Sequence, residues 1–379
     1  MSGHIGEARG RRFLKKVVLL SVPGTIVALL ALEVLLRTVL PACEKPFVRF
    51  EPTFRLLTYD AQARTEGIHT IGALAHQRVS WRVNNHGWNS AIDYETAADR
   101  SRPLIALIGD SYVEAFQVAA RDSVVSVLRE SLDGSHDVYG FGISGAFLSQ
   151  YLQMSRYVDR VFDPDILVFV VVHNDFLESI ADVKRVPHFL QLRAAEAGFI
   201  ELEPVPYVPS TARRFLSKSA LVRYLVANLH IEHKLRGLTR AGQERRLSAN
   251  IDVDQTLASR RMIAAATAHV VTRVRQANPA AEIVFVIDAL REEIYAGRKP
   301  NEQLAWLHRT LRDAARANDC HFLDLSDAFR EYHAAEGTRL DFEFDGHWNE
   351  AGHATAARSL LDYLRASGII PEHGQQLAR

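Results

Sequence analysis

The apolar positions of this chain first gather in one run near the start. From Val17 to Leu32 no charged residue occurs, and only Glu33 and Arg37 interrupt the apolar character before Leu40. A run of that length spans the hydrocarbon core of a bilayer when helical. It is apolar around its whole circumference, which argues against a surface helix of a soluble domain. Glu33 and Arg37 stand four residues apart and pair on one helical face near the end of the run. Arg9, Arg11, Arg12, Lys15 and Lys16 precede it, and positive flanks stay in the cytoplasm. Everything after Pro41 is therefore expected on the other side. Two competing readings are weaker. A cleaved signal peptide has a shorter apolar core and a small-residue cleavage site. A lipoprotein box at Leu40-Pro41-Ala42-Cys43 would contain an unusual proline.

From Pro41 to about Arg102 the pattern is polar and irregular, with short strands such as Val79–Val83 leading into a tight turn at Asn84-Asn85-His86-Gly87-Trp88. Beyond Pro103 apolar runs alternate with amphipathic stretches. Strands are predicted at Leu104–Ile108, Asp137–Gly140, Ile166–Val172, Ile283–Ile287 and His321–Leu325. Helices are predicted at Asp122–Leu132 with an Asp cap, from the turn after Gly140 to about Val161, and at Thr256–Gln276, Glu302–Ala317 and Asn349–Arg365. Ile166–Val172 is apolar on both faces, the mark of a central parallel strand. Alternation of this kind predicts an α/β fold, a three-layer α/β/α flavodoxin-like sheet of about five parallel strands.

The expected organisation is a cytoplasmic basic tail over 1–16, a transmembrane helix over 17–40, a linker with short strands over 41–102, a catalytic domain over 103–370, and a tail over 371–379. Residues 176–249 break the alternation and read as a cap inserted over the active face. Between Arg213 and Arg246 this insertion is strongly basic, which fits a solvated helical cap, or contact with a membrane or an anionic glycan.

Composition changes little. The chain is 47% hydrophobic and 24% charged, and 45 Lys and Arg balance 45 Asp and Glu, so no global charge points to nucleic acid. Cys43 and Cys320 have no metal-ligand spacing and make no disulfide framework. No metal or organic cofactor is implied.

The chemistry lies where strands end. Ile108-Gly109-Asp110-Ser111-Tyr112 follows the first strand, which places Ser111 at the carboxyl edge where open α/β sheets bind ligands. A serine nucleophile needs a base and donors for the oxyanion it creates. Gly142-Ile143-Ser144-Gly145 follows the second strand, and there the Gly145 amide can approach closely. His173-Asn174-Asp175 follows the third and offers the Asn174 amide. Asp345-Gly346-His347-Trp348-Asn349 puts an imidazole and a carboxylate in one short loop before the last helix. Asp110 reads as a helix cap. His173, Asp175 and His353 read as structural residues satisfying backbone groups, and Tyr112 and Trp348 as packing residues.

These four blocks, in this order over about Leu104–Leu364, resemble the SGNH, or GDSL-like, hydrolase superfamily. The resemblance implies Ser111 as nucleophile, an oxyanion hole formed at Ser111, Gly145 and Asn174, and His347 as the base. The family commonly places its aspartate three residues before the histidine, where this chain has Phe344. Asp345, two before, takes that place, and Asp-x-His is similar to relatives acting on polysaccharide acetyl groups. Asn84-Asn85-His86-Gly87-Trp88 and the N-terminal helix look like a bacterial membrane-anchored branch. The resemblance implies a serine ester hydrolase working outside the cytoplasm, on the periplasmic or cell-surface side, on an acylated small molecule or glycan. Two other functions fit the same sequence. A polysaccharide O-acetyltransferase would need a partner that exports an acyl donor, and a non-catalytic glycan-binding or scaffold protein would leave the residue set unexplained.

Overall fold

All five expected strands assemble into one parallel sheet in a computed structural model, which describes residues 3–132, 134–196, 198–229, 231, 247–248, 251–299, 302–343 and 345–372. In chain order, α1 (Gly3–Thr38) is followed by two strand pairs, β1 (Val48–Glu51) with β2 (Leu56–Tyr59) and β3 (Glu66–Ile71) with β4 (Gln77–Arg82). Then come β5 (Leu104–Gly109), α2 (Ser111–Glu114), α3 (Val124–Ser131), β6 (Asp137–Gly142), α4 (Leu148–Phe162), β7 (Ile166–Val171) and α5 (Asn174–Glu178). A hairpin of β8 (Gln191–Ala195) and β9 (Gly198–Leu202) precedes α6 (Thr211–Leu216) and α7 (Ala220–Arg223). A short pair, β10 (Leu247–Ser248) and β11 (Ile251–Asp252), leads to the final units: helices Val253–Ala258 and Arg260–Ala277, β12 (Glu282–Ile287), helix Glu302–Arg316, β13 (His321–Asp324), and helices Ser326–Glu336 and Glu350–Ala366.

The sheet order is β13-β12-β7-β5-β6, every neighbour parallel. Alternate residues of each strand enter opposite cores, as a period of two requires. Ala106, Ile108, Phe169 and Phe285 join one core with α4 and the helices Arg260–Ala277 and Glu302–Arg316. Ile105, Leu107, Val168 and Val286 join the other with α3, Phe329 and the last helix. That makes three layers, and β7 is central, as its two-sided apolarity predicts.

Several boundaries differ. Helix α3 starts at Val124 rather than Asp122, because the Ser123 side chain accepts from the Ser126 amide and caps it. The helix expected at Thr256 starts at Val253, capped by Asp252, and is interrupted at Ser259. Ser326–Glu336 was not expected; it buries Phe329 alone among its residues, too few apolar positions to mark a period.

The chain divides into two compact units. One comprises Met1–Glu44, Thr70–Arg78 and Pro209–Ala241; the other comprises Lys45–His69, Val79–Val208 and Gly242–Arg379. The sheet and both cores belong to the second. So do Leu56, Trp81, Trp88 and Tyr94, all buried in the first core, so most of the segment expected as a linker is packed structure. The turn at Asn84–Trp88 forms as the sequence suggests: the Asn84 side chain accepts from the amides of His86 and Trp88, both at 3.0 Å. Gly87 has φ +83° and packs so tightly that a Cβ would lie 2.4 Å from the Tyr59 carbonyl.

Among the described residues, the first unit contains one helix segment, Leu19–Thr38, long and apolar enough to cross a membrane. Its Glu33 and Arg37 pair at 2.6 Å, the spacing of four read from the sequence. The expected cap is split between the units: the β8–β9 hairpin packs with the sheet domain, burying Leu192, whereas Pro209–Ala241 belongs with α1. The basic residues from Lys234 to Arg246 lie outside the described residues.

Candidate active site

Strand β5 runs into α2 without a connecting loop, and the sharp passage is held by Asp110, whose Oδ1 accepts from the Tyr112 amide at 2.9 Å. Asp110 is thus a cap, as read from the sequence, and its Oδ2 also lies 3.4 Å from the Ser111 hydroxyl. Gly109 and Gly142 face each other across β5 and β6. A Cβ at Gly142 would sit 2.1 Å from the Glu114 amide nitrogen; glycine is required for α2 to cross the end of β6.

His347 joins Ser111 from 236 positions away: its Nε2 is 2.8 Å from the Ser111 Oγ. The other ring nitrogen, Nδ1, is 2.6 Å from an Asp345 carboxylate oxygen. Burial works to lower the His347 pKa, but the Asp345 carboxylate outweighs it and the pKa is raised above the usual histidine value. Burial would likewise raise Asp345, yet the hydrogen bond and charge of His347 hold it below the usual carboxylate range. The carboxylate fixes Nδ1 as the protonated nitrogen, leaving Nε2 free to accept from the serine.

Gly145 and Asn174 sit on either side of Ser111, each three residues beyond its strand, because the order β7-β5-β6 sets the three strand ends side by side. Gly145 is exposed with φ +80°, a conformation natural to glycine. Asn174 opens α5 and lines a cleft with Tyr112, His173, Arg291 and Gly346. Neither is hydrogen-bonded to Ser111 among the described residues.

Much of what holds the site was not legible as such. Glu114 is buried and accepts from the Ser144 amide at 2.9 Å and from the hydroxyls of Ser144 and Tyr59. Its own carbonyl accepts from the Asn89 side chain at 2.6 Å, so the Asn84–Asn89 turn and β2 both brace the loop that carries Gly145. On the other side Arg291 donates to Asp288 and Asp341, each at 3.0 Å, to the Tyr112 hydroxyl at 2.6 Å, and to the Gly346 carbonyl at 2.8 Å. Tyr112 and Trp348, read as packing residues, belong to this network: the Tyr112 hydroxyl donates to the Gly346 carbonyl at 3.0 Å and the Trp348 indole to Asp288 at 2.9 Å. His69 lies near enough to feel the charges of Asp345, His347 and Lys45; burial first, then Lys45, pushes it down to about 4.

The remaining polar residues have structural partners. His353 Nδ1 accepts from the Val124 amide at 3.2 Å, and burial takes its pKa down to about 3. Asp175 accepts from the Tyr151 hydroxyl and the Val172 amide, both at 2.9 Å. His173 meets His308 at 2.9 Å between ring nitrogens, and His308 meets Asp324 at 2.7 Å.

Residues 107–355 match the model of the GDSL-like lipase/acylhydrolase family. Among solved structures the chain is similar to an extracellular lipase from Streptomyces rimosus, at 11% identity and a TM-score of 0.39, over 69% of this chain and 99% of that one. It is also similar to LAE5, an alpha/beta hydrolase enzyme from the metagenome of Lake Arreo, at 13% identity and a TM-score of 0.38, over 73% of this chain and 100% of that one. A G-D-S-L lipolytic protein from Veillonella parvula matches at 10% identity and a TM-score of 0.35, over 68% and 96%. The sequence matches none of the curated proteins.

Proposed function

Because the chain belongs to the GDSL-like lipase/acylhydrolase family and is a hydrolase of ester bonds, we propose that Ser111, His347 and Asp345 are its catalytic triad. The observation that carries this reading is the unbroken line of hydrogen bonds, 2.8 Å from Ser111 to His347 and 2.6 Å from His347 to Asp345. Ser111 Oγ attacks the acyl carbon while its proton passes to His347 Nε2, and Asp345 stabilises the imidazolium. The carbonyl oxygen becomes an oxyanion, met by the amides of Ser111 and Gly145 and the side-chain amide of Asn174. As the ester bond breaks, His347 returns the proton to the leaving alcohol. Water then attacks the acyl-serine with His347 again as base, releasing the acid and restoring Ser111.

The substrate we propose is a short acyl ester on a polar alcohol, an O-acetyl group of a glycan outside the cytoplasm. Two features support it: the Asp-x-His spacing, and a cleft beside Asn174 lined largely by polar side chains. Helix α1 acts as a signal-anchor, and its five preceding positive charges favour the orientation that places the sheet domain outside. We take the catalytic region to run over 103–370, after the anchor and the short N-terminal strands.

The test is direct. A fluorophosphonate probe should label Ser111, and Ser111→Ala should lose both labelling and release of acetate from acetylated polysaccharide. Labelling elsewhere with turnover intact would refute the nucleophile. Acetate moved to an added sugar instead of to water would make the enzyme a transferase. A reporter active only outside the cytoplasm, fused after Arg379, should be active; a silent one beside a working cytoplasmic reporter would reverse the orientation.

A further inference from the structure

The segment Pro209–Ala241 folds with α1 rather than with the sheet domain, and what ties it there is unusual for an apolar helix. The Glu33 carboxylate of α1 accepts from the amides of Ala220 and Leu221 at 2.8 and 2.9 Å and from the Ser219 hydroxyl at 2.8 Å. It serves as an anion at the N-terminus of α7. Arg37 donates to the Lys218 carbonyl at 2.7 Å, and Leu36, Ala42 and Ala220 are buried together. Further along, the Cys43 amide donates to Asn228 at 2.9 Å. The segment is therefore fastened to the last turns of the membrane-crossing stretch.

That attachment sets its depth. Glu33 lies five residues before Thr38, the end of α1, so at 1.5 Å per residue it sits about 7–8 Å from the helix end. A bilayer's headgroup zone is about that deep on each side. Helix α6 ends two residues before Lys218 and has every residue exposed. Phe215 is 74% and Leu216 50% exposed, beside exposed Arg213, Arg214 and Lys218. Large apolar side chains bare to water flanked by cations, at the level where a spanning helix leaves the bilayer, match the chemistry of an interfacial anchor.

We propose that α6 is a second membrane contact, in which Phe215 and Leu216 insert among the lipids of the bilayer that α1 crosses while Arg213, Arg214 and Lys218 meet anionic headgroups. The inference rests on α1 being a membrane anchor. Held at two points, the segment could not swing freely about α1, and the chain would read the surface charge of its membrane.

The experiment uses the full chain carrying Phe215→Trp in proteoliposomes of phosphatidylcholine and phosphatidylglycerol. The native tryptophans, Trp81, Trp88, Trp306 and Trp348, are all buried, so the unsubstituted chain supplies a background to subtract. With brominated phospholipid the added tryptophan should emit to the blue of an aqueous indole, lose about half or more of its emission, and be shielded from iodide. Adding Arg213→Glu and Arg214→Glu should weaken that quenching in vesicles containing phosphatidylglycerol. A chain that floats with the vesicles but whose added tryptophan keeps a water-like, iodide-quenched emission would overturn this proposal and leave the anchor standing. A chain that does not float would overturn the anchor and this contact with it.

Discussion

Glu114 offers the sharpest test of how the site is held. Its carboxylate accepts three hydrogen bonds in a position 2% exposed: two come from Ser144, the residue before Gly145, and one comes from Tyr59. Glu114→Ala leaves the buried Tyr59 hydroxyl without its acceptor, whereas the exposed Ser144 can turn to water, and a buried donor left without a partner costs about 1–3 kcal/mol. The folded protein should therefore lose about 1–3 kcal/mol of stability. The catalytic effect is separate. Losing one oxyanion donor outright costs about 10²–10³ in kcat, and a displacement of about 1 Å costs about 10², so kcat should fall about 10²-fold. KM should change little, since in the proposed oxyanion hole the Gly145 amide would act on charge that appears in the transition state. Glu114→Gln separates the two effects: its oxygen can keep Tyr59 and the Ser144 amide, and its NH₂ can donate to the Ser144 hydroxyl. It should hold kcat within about tenfold of the parent. Steady-state kinetics on one activated ester, at a denaturant-free temperature well below both melting points, reads the outcome. A folded Glu114→Ala enzyme with normal kcat, or one altered only in KM, would refute the positioning role.

Further expectations concern the triad. His347→Ala should lower turnover by about 10³-fold or more with little effect on melting. His353→Ala should lose stability by about 1–3 kcal/mol, because the Val124 amide loses its acceptor, yet stay active while folded; the reverse pattern on one ester would exchange their roles. The pH profile carries a sign. In the proposed triad His347 must be neutral to accept the serine proton, and Asp345 raises its pKa, so kcat/KM should fall on acidification through a pKa above the usual histidine value. Asp345→Asn removes the larger opposition to burial and leaves only the weaker pull of Asp110, so the acid limb of its residual activity should move to lower pH; a limb that stays or moves upward would contradict the coupling.

The clearest strands were legible because their apolar residues are consecutive: β5 and β7 are buried at all six positions, and only a strand inside a sheet covered on both faces demands that. The helix Ser326–Glu336 escaped notice for the opposite reason, with a single buried side chain. Ser111, Gly145, Asn174 and the Asp345/His347 loop could be located since each follows a strand or precedes a helix, and strand ends on one edge converge by topology alone.

Two things lay beyond the sequence. From Pro41 to about Arg102 the chain reads as polar and irregular apart from short strands such as Val79–Val83, but Trp88 and Tyr94 are buried in the sheet's core; isolated aromatics between polar neighbours have no period to betray them. The braces of the site, Glu114 and Arg291, bond to residues 30 and 55 positions away. A buried charge is indistinguishable in sequence from one in water, and only the packed chain says which it is, because its partners are assembled by folding rather than by neighbourhood.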